Sequence, residues 1–119
     1  MEGRLIRVGI THGDINGVGY EVILKTFADE RISELCTPII YGSQKIAHYH
    51  QKAMELSSVN FKVIKRPEDA VEGKVNLINC VGEDVKVELA KSTPEAGIAA
   101  FKSLEAAITD AKRGSLDPI

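Results

Sequence analysis

The hydrophobic positions of the chain follow two rhythms that take turns along its length. Residues 5–11, LIRVGIT, alternate with period two and are rich in β-branched side chains, which predicts a strand. Residues 19–28 carry Val22, Ile23, Leu24 and Phe27 at helical spacing and predict a helix with one apolar face. Residues 30–35 read as a short second helical piece, and residues 38–41, PIIY, as a short buried strand. Residues 43–56 predict an amphipathic helix, with Ser43 as N-cap and Ile46, Tyr49, Ala53 and Leu56 along its apolar face. Residues 61–65 and 74–80 read as two more strands. The stretch RPEDAVEG between them supplies a turn or a single helical turn. After Gly82 an alternating segment, DVKVEL, predicts a further strand.

The last long element carries the clearest signals. Ser92-Thr93-Pro94-Glu95 combines a capping hydroxyl, a first-turn proline and a glutamate placed for a capping box. Gly97, Phe101, Leu104, Ile108 and Ala111 follow as an apolar stripe, read as core packing or as contact with a further part of a longer protein. Lys112, Arg113 and Gly114 supply a cationic end and a terminating glycine. Strands alternating with helices imply an α/β fold with a parallel or mixed sheet. No internal repeat or low-complexity linker interrupts it. The ending GSLDPI stops where an α/β chain would begin its next strand, so the chain is expected to be the N-terminal piece of a longer protein.

Composition narrows the function classes. The chain has 119 residues, 44% of them hydrophobic and 27% charged, which suits a folded globular domain. A net charge of −2 leaves no basic excess to meet a phosphate backbone, and aromatic residues at 5% offer no stacking platform, so nucleic acid is not an expected partner. No apolar run approaches the roughly 20 residues of a membrane span, and the stripe on the last helix has both signs of charge on its polar face. The opening MEGRLIRVGI lacks the order of a signal peptide, and a cytoplasmic location is expected. Cys36 and Cys80 are far apart and have no metal-ligand spacing, so both read as small buried residues.

Between the first strand and the first helix the chain places Gly13, Gly17 and Gly19 within seven residues, in THGDINGVGY. A helix start presents unpaired N–H groups and the positive end of the helix dipole, and glycines allow positive φ and close approach. The spacing is neither G-x-G-x-x-G nor a P-loop, so the residues alone leave open a structural turn or a ligand-contacting loop. Asp14 and Glu21 flank the bend and read as caps for the helix that follows. His12 stands where an acid, base or ligand could stand, but reads as a loop-packing or solvent-facing imidazole. His48 and His50 are two apart, point to different faces of their helix and read as surface residues. The charged run at residues 86–91 reads as a solvated strand edge.

Two segments carry a resemblance. RVGITHGDINGVGYEVILK resembles the opening of the 4-hydroxythreonine-4-phosphate dehydrogenase family of vitamin B6 biosynthesis, which runs strand, G-D-P-A-G-I-G-P-E, helix. Gly13, Asp14, Gly17, Gly19 and Glu21 match that pattern. Ile15-Asn16 replaces its Pro-Ala, and Tyr20 replaces the Pro before Glu. STPEAGIAAFKSLEAAI is similar to the family's S-x-E-A-G-x-A-A helix, so the resemblance covers nearly the whole chain.

The resemblance implies the N-terminal portion of a two-domain, three-layer α/β/α enzyme similar to isocitrate and isopropylmalate dehydrogenases. Such an enzyme oxidises a hydroxy acid, here 4-phosphohydroxy-L-threonine, with NAD or NADP and a divalent metal (Zn, Mg or Co), then decarboxylates the product. It further implies a cytoplasmic homodimer in pyridoxine biosynthesis. The family's metal-binding histidines, its T-x-P-x-x-K segment and its substrate-phosphate contacts lie later in the chain, so no catalytic or metal residue carries over and residues 1–119 are expected to be inactive alone. Gly13, Asp14, Asn16 and Gly17 are carried over as the cofactor side of the cleft. A dehydrogenase of another phosphorylated hydroxy acid, such as 4-phospho-threonate, and a free-standing binding domain are the alternatives.

Overall fold

The run TPIIYG folds as a strand, Thr37–Gly42, that is buried along its whole length. Such a continuous apolar run is what a strand covered on both faces requires. In a computed structural model, which describes residues 5–13, 16, 19–29, 31–53, 60–80 and 93–117, this segment is β2 of a four-stranded parallel sheet. The others are β1 (Arg7–Thr11), β3 (Phe61–Ile64) and β4 (Val75–Asn79), in the spatial order β1-β2-β4-β3. Register is set by pairs such as Ile10 with Ile40, Ile40 with Leu77 and Val63 with Leu77. The two central strands carry the buried runs, while β3, at an edge, exposes Lys62 and Val63.

Alternation along the strands divides the core into two layers. On one face Ile40 and Leu77 meet Tyr20, Ile23, Leu24 and Phe27 of α1 (Gly19–Phe27) and Ile46 and Ala47 of α3 (Gln44–Ala53). The short α2 (Ile32–Leu35) packs Ile32 against the same cluster. On the other face Ile39, Tyr41, Ile64 and Ile78 meet Leu116 and half-buried Ala106 and Ala107, the two alanines from α4 (Pro94–Lys112). The described residues thus form the α/β/α layering that the resemblance implies, and of the parallel or mixed sheet expected from the alternation they form a parallel one.

Local signals explain the element ends. Thr93 caps α4, its side chain accepting from the Ala96 N–H at 3.1 Å, and Pro94 occupies the first turn. At the other end Ser115 N–H reaches Asp110 O at 3.0 Å and Gly114 N–H reaches Ala111 O at 3.1 Å, around Gly114 at φ +80°. This is the paired hydrogen-bond pattern of a Schellman stop. It turns the chain so that Leu116 lies against Gly9, where a Cβ would stand 2.6 Å from Leu116 Cδ1. The segment between β3 and β4 holds a single 3-10 turn, Pro67–Asp69.

Several expectations need correction. The buried face of α3 is Ile46, Ala47, His50 and Gln51; Tyr49 and Ala53 are exposed, and Leu56 lies outside the described residues. His50 is therefore a core residue, whereas His48 is exposed as expected. Val22 stands exposed beside the buried face of α1. Cys36 and Cys80 are only partly buried. On α4 the stripe of Gly97, Phe101, Leu104, Ile108 and Ala111 faces outward, which removes core packing among the described residues from its two readings, and Ala96, Ala99 and Ser103 are buried instead. The small side chains let the helix lie close against the sheet, which leaves the large ones on the far side. The segments at residues 84–89 and 86–91, like Asp14 and Gly17, lie outside the described residues.

Candidate functional site at the carboxyl edge of the sheet

In a parallel α/β sheet the strand carboxyl ends and the helix starts that follow them gather on one edge, where ligands collect. Here that edge brings together the ends of β1, β2 and β4 and the starts of α1, α3 and α4. The bend after β1 lies on it. Gly13 has φ +64°, which a glycine adopts cheaply, and α1 starts at Gly19. Gly13 is exposed, and among the described residues nothing stands within 4 Å of where its Cβ would be. Its backbone is thus bare and approachable. Asn16 is buried, its Nδ2 donating to Thr93 Oγ1 at 3.3 Å, so the middle of the bend is tied to the cap of α4.

Beneath the bend lies a buried polar network. His12, 1% exposed, accepts or donates at two ring nitrogens: Nδ1 lies 2.7 Å from Tyr20 Oη and Nε2 lies 3.0 Å from Ala99 O. A carbonyl can only accept, so Nε2 carries the proton and Nδ1 of the neutral ring accepts from the Tyr20 hydroxyl. Tyr20 Oη in turn accepts from Ser43 N–H at 3.1 Å. His12 N–H donates to Ser103 Oγ at 3.1 Å, and that hydroxyl donates to Tyr41 O. His50 stacks on the other side of Tyr20, with ring centroids 5.2 Å apart and planes 12° from parallel.

Burial lowers the His12 pKa below its ordinary 6.5, with the bond to Ala99 opposing and His50 adding to the drop, so the neutral tautomer is the resting form. Burial likewise raises the Tyr20 pKa, against the Ser43 N–H, which favours the phenolate. Neither group reaches solvent, and neither is poised to exchange a proton with a substrate. Gly42 makes the arrangement possible: a Cβ there would stand 2.3 Å from Tyr20 Oη and 2.9 Å from His12 Nδ1.

The other candidates do structural work. Glu21 pairs with Lys25 at 2.9 Å on the exposed side of α1. Asn79 Oδ1 accepts from Gln44 N–H at 2.7 Å and so fixes the start of α3. A cleft of about 540 Å³ opens between α4 and the sheet, lined by residues that include Tyr41, Cys80, Lys102 and Asp110. Tyr41 donates to Asp110 Oδ2 across it at 2.7 Å. Burial pushes the Cys80 thiol up to about 11, so it is no nucleophile at neutral pH. Among the described residues no three His, Cys, Asp or Glu side chains gather where they could hold a metal ion, so these residues do not fit a metal centre by themselves. The bare backbone at Gly13 does suit close approach of a ligand. No helix of the described residues is long and apolar enough to cross a membrane.

Sequence reasoning placed the bend but missed the network beneath it. The one available signal was that His12 and Tyr20 flank the bend symmetrically, both able to hydrogen-bond.

Known proteins agree with this architecture. A 4-hydroxythreonine-4-phosphate dehydrogenase of Bacteroides thetaiotaomicron is 52% identical over 119 residues, which is 100% of this chain and 32% of that protein. A Clostridium botulinum protein, provisionally named a D-threonate 4-phosphate dehydrogenase, is 32% identical over 117 residues, 94% of this chain and 34% of its own length. The crystal structure of a 4-hydroxythreonine-4-phosphate dehydrogenase from Burkholderia phymatum superposes with a TM-score of 0.83 at 25% identity, covering 97% of this chain and 35% of that one. This chain therefore spans about a third of the length of the relatives it matches. Residues 34–119 match the family described as pyridoxal phosphate biosynthetic protein PdxA, and the chain belongs to that family.

Proposed function

We propose that the chain is the N-terminal part of a two-domain dehydrogenase that oxidises and decarboxylates 4-phosphohydroxy-L-threonine in pyridoxal phosphate biosynthesis. The observation that carries this is the 52% identity to the Bacteroides dehydrogenase over every residue of this chain. In this reading the dinucleotide, NAD or NADP, accepts the hydride and a divalent metal polarises the reacting oxygens, held by residues outside this chain.

This chain's share of the work is to bind and orient. Gly13, Asp14, Asn16 and Gly17 make the cofactor side of the cleft, through backbone N–H groups and shape rather than proton transfer. Asp14 is an orienting residue. Gly13 supports this assignment, because its positive-φ backbone is exposed and no described residue crowds it. The full-length enzyme works as a cytoplasmic homodimer, a reading supported by membership of the family.

A second reading keeps the fold and changes the substrate to 4-phospho-threonate; the 32% identity to the Clostridium protein supports it. Steady-state assays of the full-length protein on both acids, with NAD or NADP and with Zn²⁺, Mg²⁺ or Co²⁺, test the two together. A higher kcat/KM on 4-phosphohydroxy-L-threonine is expected, and a preference for 4-phospho-threonate favours the second reading. Turnover of neither acid would overturn both. Residues 1–119 alone should give no turnover, since chemistry needs the metal and substrate groups held together with the cofactor. Metal-dependent NADH formation by residues 1–119 alone would remove the division of labour.

A further inference from the structure

His12 and Tyr20 are the residues on either side of the glycine bend, and their side chains meet at 2.7 Å. That contact closes the base of the bend as a clasp closes a loop. From the clasp three tethers run outward to different parts of the sheet edge. His12 Nε2–H is anchored on Ala99 O and His12 N–H on Ser103 Oγ, both in α4. Tyr20 Oη is anchored on Ser43 N–H, at the junction of β2 and α3. Asn16, in the middle of the bend, is anchored on Thr93, the cap of α4.

We propose that His12 and Tyr20 are positioning residues: they hold both ends of the bend at the carboxyl edge in the attitude in which its backbone meets the dinucleotide. The proposal rests on the reading of the bend as the cofactor side of the cleft. Neither side chain touches the ligand, because Tyr20 and His12 are 0% and 1% exposed. They act through the bend. Every donor and acceptor in the clasp is used: Ser43 N–H to Tyr20, Tyr20 O–H to His12 Nδ1, His12 Nε2–H to Ala99 O. Such a fully satisfied buried network fixes one geometry, and removing one member leaves its neighbours unpaired. Among the described residues, the titratable groups facing His12 are Tyr20 of α1 and His50 of α3, and Cys80 acts on Tyr20, while α4 presents the Ala99 carbonyl and the Ser103 hydroxyl.

The test uses the full-length protein and the variant Tyr20→Phe, which keeps the ring stacked on His50 and removes only the hydroxyl. Loss of one buried hydrogen bond at a positioning group should raise KM for the dinucleotide roughly three- to tenfold while kcat stays within about twofold. Exchange of the amides of Gly13, Asn16 and Gly19 should quicken without the cofactor present. His12→Asn, which keeps an acceptor near the Nδ1 position, should be milder than His12→Leu in both readouts.

Protection of the same amides by NAD in the unaltered protein tests the reading of the bend independently. With protection present, an unchanged KM in Tyr20→Phe overturns the clasp. Without protection the cofactor-side reading falls, and with it the positioning role. Amide exchange then still tells whether the clasp orders the bend, and unchanged exchange in Tyr20→Phe removes that too.

Discussion

Asn76 and Val71 exchange two hydrogen bonds, Val71 N–H to Asn76 Oδ1 at 2.9 Å and Asn76 Nδ2 to Val71 O at 3.2 Å, so that a side chain pairs with a backbone as a neighbouring strand would. The same amide reaches Pro38 O and Lys74 O, each at 3.1 Å. A fully buried amide thereby stitches the approach to β4 onto β2. Asn76→Leu fills a similar volume but strands these backbone groups, and should lower stability by about 3 kcal/mol. Chemical denaturation of the 119-residue chain reads this directly, and an unchanged midpoint would show that the amide carries no such load.

The stability of the protein should fall with acid earlier than its carboxylates require. The His12 pKa lies below 6.5 in the folded protein, so between that value and 6.5 the unfolded chain binds the proton that the folded one refuses. Stability is full above about 6.5 and declines as pH falls through the folded pKa. Asp29 and Glu68, held below the ordinary carboxylate range, titrate beneath this window. Thermal midpoints measured from pH 7.5 to 5 should show the decline, and His12→Asn should flatten it. An equal slope in both proteins would assign it elsewhere.

The outward stripe of α4 sets the solution behaviour of the isolated chain. Ile98, Phe101, Leu104 and Ile108 are between 45% and 62% exposed and lie on successive turns of one helix. A contiguous apolar surface of this kind drives association. Residues 1–119 should therefore show a concentration-dependent mass by light scattering, and Phe101→Glu should move it toward the monomer without changing the far-ultraviolet circular dichroism. A concentration-independent monomer would show that the stripe is harmless in water.

Gly42 and Tyr20 should be energetically coupled. A methyl group at residue 42 would collide with Tyr20 Oη at 2.3 Å, so Gly42→Ala alone should cost about 1–3 kcal/mol. Removing the hydroxyl first relieves the worst of the collision, leaving His12 Nδ1 at 2.9 Å. In a Tyr20→Phe background the same substitution should cost about 1 kcal/mol less, and a double-mutant cycle measures the difference. Strict additivity would show that the ring moves aside freely.

The elements were legible where a local rule sets them. TPIIYG announces a strand buried on both sides, Thr93-Pro94 announces a helix start, and Gly114 announces its end, because each signal is read within a few residues. Which face of a helix is covered is not local. Periodicity located the stripe of Phe101, Leu104 and Ile108, but only the approach of the sheet decides that Ala96, Ala99 and Ser103 face it. A stripe of small residues was the available clue, and it carries less apolar weight than the stripe beside it. His50 was misplaced for the same reason: the ring it stacks on, Tyr20, is far away in sequence. At the candidate site the bend was visible from its glycines, while its supports, Ser43, Ala99 and Ser103, contribute backbone atoms or a common hydroxyl that no motif marks.

The bare α-carbon at residue 42 has a historical side. With a tyrosine at residue 20, a side chain larger than hydrogen at residue 42 meets both the Tyr20 hydroxyl and His12 Nδ1, so change at that position costs less once residue 20 has surrendered its hydroxyl. Mutation in the opposite order crosses a state that is both overpacked and buried. The two positions are therefore linked, and relatives should be found with Tyr20 and Gly42 together, or with both altered, and seldom with the second altered alone.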